Sequence, residues 1–108
     1  GIRLQETEMQ GYEKRLSEIA QKNTSAAVLQ QVEHYQNRFI VQKEIMQQLK
    51  HDIHQQETAI ADDVRRDKII DETDITGHQY FLRERVQSNE KIFVSLKHDF
   101  YNFLARNL

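Results

Sequence analysis

The chain has 108 residues, of which 38% are hydrophobic and 30% charged, with a net charge of −2 at neutral pH. That length suits a single domain, the apolar content is too high for a disordered chain, and the interspersed charges leave no basic footprint for nucleic acid. No apolar run approaches membrane-span length, and no leader-peptide pattern is visible.

Pro, Cys and Trp are absent and Gly occurs three times. Proline stops helices and glycine weakens them, so this composition permits long, little-interrupted helices. Thirteen Gln, with many Glu, Lys, Leu and Ile, fit the same reading. Without cysteine the chain requires no oxidising compartment, and the expected compartment is the cytoplasm. A first residue of Gly rather than Met leads us to expect a trimmed or processed N-terminus.

The first predicted helix spans about 2–22. Ile2, Met9, Tyr12, Leu16 and Ile19 alternate spacings of four and three once Gln5 is admitted to the stripe. At about 100° per residue this stripe points away from the one that follows, so the chain must reorient. Asn23, Thr24 and Ser25 prefer caps and turns to helix interiors, which places a tight turn there. A continuous helix with a shifted face is the alternative.

The second helix is expected over about 25–67. Val28, Val32, Tyr35, Phe39, Met46, Leu49, Ile53 and Ile60 form its stripe, with Gln42 and Gln56 filling the gaps. Val32, Phe39, Met46, Ile53 and Ile60 hold one heptad position throughout, which is a coiled-coil signal. A charged connection at about 62–75 then loses the heptad, although Ile69 and Ile70 argue that part of it still packs. Thr76-Gly77-His78-Gln79 reads as a capping box, so the third helix is expected over about 76–107. Its stripe is Leu82, Val86, Phe93, Leu96, Phe100 and Phe103, with Gln79, Asn89 and Asn107 filling in.

At 1.5 Å per residue the second and third helices would be roughly 65 and 45–48 Å long, and the first about 30 Å. A short connection makes the long pair antiparallel neighbours. The fold class is therefore all-α: an elongated antiparallel hairpin of coiled-coil type with a third, shorter helix packed at one end, bundle-like and expected to dimerise, in one helical domain over 1–108. The preferred register stacks Ile53 on Leu82, Phe39 on Leu96 and Tyr35 on Phe100. It also sets Gln56 against Gln79 and Gln42 one layer from Asn89, so that core amides can partner each other. A register one heptad along would put Gln56 on Val86 and Asn89 on Ile53.

Three groups of residues are candidate sites. His51, His54 and Glu57 recur at helical spacing and could ligate a metal. A zinc site takes three or four ligands with further support, and neither an H-E-x-x-H nor a Glu-x-x-His motif occurs. The solvated face of a helix is the simpler account, and no metal or cofactor is expected. Asp71, Glu72 and Asp74 resemble half of a calcium loop, but a loop starting at Asp63 has Lys68 where Gly is required. Phe93, Phe100, Tyr101 and Phe103 would meet Tyr12, Tyr35 and Phe39 as an aromatic core rather than as a ligand pocket, for which convergent polar groups are lacking. No G-x-S-x-G and no Gly-rich phosphate loop is present, and the chain is not expected to be an enzyme.

One feature exceeds what a hairpin requires. Ile40, Val41 and Ile45 widen the apolar stripe of the second helix, and Tyr80, Phe81, Ile92, Val94, Tyr101 and Leu104 widen that of the third. The first helix can cover only some of them, and a sticky remainder marks an association surface. Ile40, Val41, Ile45, Phe81, Ile92 and Val94 are the expected interaction surface. A homodimer is the favoured use of it, with a partner protein's helix in the same groove as the alternative. The expected function is thus a non-enzymatic interaction or scaffold module, with a small helical chaperone or adaptor second and a metal-binding protein third.

Overall fold

A computed structural model describes residues 1–65 and 72–107, with the backbone alone described at 63 and 72–76. Three helices follow in order: α1 (Ile2–Lys22), α2 (Ala26–Arg65) and α3 (Glu72–Asn107). There is no strand among the described residues. At 1.5 Å per residue the 40 residues of α2 extend about 60 Å, which accounts for the long dimension of a 63 × 19 × 18 Å molecule.

The reorientation after α1 is a turn, not a shifted helix. Asn23 leaves the helix with extended backbone, φ −117° and ψ 135°. Its side-chain Nδ2 donates back to the Ile19 carbonyl at 2.8 Å, satisfying one of the acceptors a helix end exposes. The α2 ladder then begins with the Leu29 amide donating to the Ser25 carbonyl at 3.0 Å. Folded back in this way, α1 runs antiparallel to α2, with Glu13 paired to Lys43 and Glu6 to Lys50 at 3.1 and 3.0 Å.

The core follows the heptad stripes. Met9, Tyr12, Leu16 and Ile19 of α1 meet Val32, Tyr35, Phe39 and Met46 of α2 and Phe93, Leu96, Phe100 and Phe103 of α3. Phe100 is the hub of the aromatic set. Its ring centroid lies 5.1 Å from Phe39, 5.4 Å from Tyr12, 5.5 Å from Tyr35 and 6.1 Å from Phe103, within the range over which aromatic pairs attract.

Register is fixed by polar groups inside this apolar frame. Gln42 and Asn89 are both 2% exposed. The Gln42 amide donates to Asn89 Oδ1, and Asn89 Nδ2 donates in turn to Gln5 Oε1 of α1 at 2.9 Å. One amide chain thus ties all three helices at one level, in the alignment that puts Gln42 a layer from Asn89. The rival alignment would have carried Asn89 to Ile53, more than ten residues from Gln42 along α2.

Three expectations are corrected. α3 begins at Glu72 rather than at Thr76, so Thr76-Gly77-His78-Gln79 lies inside the helix. A capping box is only a local option, and the interior glycine costs a helix about 1 kcal/mol, not its existence. Gln56 and Gln79 do not form a buried amide pair: Gln79 is exposed, and the shielded Gln56 Nε2 has no hydrogen-bond partner among the described residues. Ile53 and Ile60 are only half-buried, because α1 ends at Ile2, one turn beyond the Glu6–Lys50 pair, and two helices alone cannot enclose a stripe. The expected packing of Ile69 and Ile70 and the calcium-loop comparison at Asp71 fall outside the described residues.

Candidate interaction groove

A helical hairpin has two grooves, and α1 occupies one of them. On that side Lys97 Nζ bonds Glu8 at 3.2 Å. The Tyr12 hydroxyl donates to the same Glu8 carboxylate at 3.1 Å and lies 3.3 Å from the Tyr101 hydroxyl. Burial pushes the Tyr12 phenol well above its ordinary value, and its bonds to Tyr101 and Glu8 push it further. Burial likewise raises Tyr35, followed by the nearby Asp99 carboxylate. Its hydroxyl donates to the Asp99 carbonyl at 3.1 Å.

The opposite groove is open. Its walls follow from helical periodicity: residues seven apart return to the same side, so Arg38, Ile45 and Asp52 edge α2 while Arg85, Ile92 and Asp99 edge α3. Antiparallel pairing sets the two edges in three levels. Arg38 Nη1 donates to Asp99 Oδ2 at 3.1 Å at one end, and Arg85 Nη1 meets Asp52 Oδ2 at 2.6 Å at the other. The bond from Arg85, outweighing the opposing effect of burial, holds the Asp52 carboxyl below its ordinary value.

Ile45 and Ile92 lie between these ion pairs. With Leu49, Phe81, Glu84, Arg85, Ser88 and Asn89 they line a cavity of about 290 Å³. Leu49 is buried at its floor, but three of its apolar members are left in water: Ile45 is 39% exposed, Ile92 50% and Phe81 67%.

All six residues expected to form an interaction surface are exposed, but they do not share one surface. Ile45, Phe81 and Ile92 line the groove. Val41 stands one turn before Ile45 at its border. Ile40 points away from it, and Val94 sits among Gln87, Glu90, Lys91, Ser95 and His98 on α3 alone. Tyr101 and Leu104 belong to the α1 side, where Leu104 packs against the core.

His51, His54 and Glu57 are each exposed on α2. Among the described residues no three His, Asp or Glu side chains converge as a metal site would require. No described helix is long and apolar enough to cross a membrane. The two ion pairs that bracket Ile45 and Ile92 are absent from the sequence-based expectations. Their signal is in the sequence, as opposite charges at heptad spacing on the two flanks, and it becomes readable once the register is fixed. Comparison with protein-family models, curated proteins and solved structures finds no match for the chain.

Proposed function

We propose that this chain is a non-enzymatic helical interaction and scaffold module of coiled-coil type, which works by associating with itself through the open groove between α2 and α3. One observation carries the reading. α1 fills one groove of the hairpin with Met9, Tyr12, Leu16 and Ile19, whereas the other groove keeps Ile45, Phe81 and Ile92 in contact with water. Each large apolar side chain withdrawn from water contributes about 1.5–3 kcal/mol, so a fourth helix or a second hairpin in that groove would be stabilised by the same means as α1. A cysteine-free chain can do this work in the reducing cytoplasm.

Association linked to folding makes the melting temperature depend on concentration. The melting temperature of the native chain is expected to rise with protein concentration, and Phe81→Gln is expected to flatten that dependence. A melting temperature independent of concentration in the native chain would contradict self-association. It would leave the groove to the helix of a different protein, the role of a small chaperone or adaptor.

A further inference from the structure

We infer that the occupant of the groove is a second copy of this chain, related by a two-fold axis that runs along the bundle, so that α2 of each copy lies beside α3 of the other. This inference rests on the self-association proposed above and specifies its geometry. The groove carries one acid and one base at each of its polar levels: Arg38 with Asp99, and Asp52 with Arg85. An axis along the bundle keeps every level at its own height and places the copies face to face. Arg38 then meets the partner copy's Asp99, and Asp52 meets the partner copy's Arg85.

Each polar level becomes a square of alternating charge, and the middle level becomes four isoleucines, Ile45 and Ile92 from each copy. The ions have capacity for a second partner, since a guanidinium carries five donors and a carboxylate about four acceptor sites. Within one copy all four remain partly in water, at 25–45% of side-chain exposure. A 63 × 19 Å face has room for the roughly 800 Å² per partner that a standard interface buries.

A two-fold perpendicular to the bundle, centred on Ile45 and Ile92, would also match the charges. It fails on Phe81. That ring is the most exposed of the groove's apolar side chains, eleven residues from Ile92. An axis along the bundle brings the two Phe81 rings to one height, where they cover the same end of the interface. The perpendicular axis would separate them by about 33 Å along α3 and set each at the far end of the groove, about one turn beyond Arg38 and Asp99.

Charges introduced at the isoleucine level separate these cases, and because Ile45 and Ile92 are half in water the variants retain a folded hairpin, checked by circular dichroism. Ile45→Glu, Ile45→Lys and Ile92→Lys are each expected to weaken dimerisation by at least about 100-fold, since each buries an unpaired charge at the contact. Mixing Ile45→Glu with Ile92→Lys should restore the dimer, because the bundle-parallel axis puts position 45 of one copy beside position 92 of the other and so joins the new carboxylate to the new ammonium. Mixing Ile45→Glu with Ile45→Lys should not, because those side chains lie across the diagonal. Light scattering reads each mixture. Restoration by the second mixture and not the first would overturn the axis while leaving self-association intact. Single variants that remain dimeric would overturn the groove as the contact. A native chain that stays monomeric would overturn the second copy as occupant.

Discussion

The amide chain through Gln42, Asn89 and Gln5 gives a double-mutant test of what fixes the register. Gln42→Leu leaves Asn89 Oδ1 without its donor in a site closed to water. Asn89→Leu leaves the Gln42 amide stranded, while Gln5, half-buried on α1, can turn to water. A buried polar group left unpaired costs about 1–3 kcal/mol, whereas replacing both partners by apolar groups can be nearly neutral. Each single change is therefore expected to lower stability by about 1–3 kcal/mol and the double change to return close to the native value, giving a coupling energy near the sum of the two single losses, about 2–6 kcal/mol. At about 4–8 °C per kcal/mol for a domain near this size, each single variant should melt roughly 5–20 °C lower. Urea unfolding at one fixed protein concentration measures all four chains, because association would otherwise contribute to the apparent stability. Single losses that simply add in the double variant would refute the idea that these amides act as one unit.

Two further outcomes follow from the same core. Met46→Asp places an unpaired charge at a fully buried position and is expected to abolish folding, whereas Ile53→Asp, half-buried at the level where α1 begins, should lower stability and leave the hairpin folded. Equal damage at the two positions, by circular dichroism and urea unfolding, would show that burial does not fall off where α1 ends. Tyr12 and Tyr35 both have phenols raised in the folded state from an ordinary value of 10.0. A group raised on folding stabilises the protein below its unfolded value and loses that contribution as pH climbs beyond it. Stability should therefore fall above about pH 10, and fall less steeply in Tyr12→Phe. A pH-independent melting temperature from about 9 to 11 would count against the buried Tyr12 hydroxyl.

The stripes were legible because burial here is repetitive: every fourth and third residue of α1, α2 and α3 meets the same apolar environment, and the turn residues Asn23 to Ser25 interrupt that repeat. Register was legible in part. Gln42 and Asn89 are the amides enclosed by all three helices, and they pair. Gln56 and Gln79 looked equivalent in the heptad, but α1 does not reach them, and a two-helix seam leaves Gln79 in water. The heptad records which side of a helix faces a neighbour, not how many neighbours stand there. The same limit explains the surface residues. Off-seam apolar side chains could be named from periodicity, but separating Ile45, Phe81 and Ile92 from Ile40 and Val94 required knowing which groove α1 fills.

The charged connection and the third helix show a second limit. Thr76 and Gln79 have the spacing of a cap, yet α3 is already helical from Glu72. Extending a helix by a turn takes little free energy once it is nucleated and packed, so a local cap signal is easily overrun by a helix that begins earlier.

The groove holding Ile45 and Ile92 is proposed to be an interface between copies of the chain. Absolute mass in solution, by light scattering behind a sizing column over a wide concentration range, decides whether it is. The native chain is expected at twice the 12.9 kDa of a single chain, falling to one chain mass for Ile92→Lys. A native mass of one chain at every concentration would contradict it.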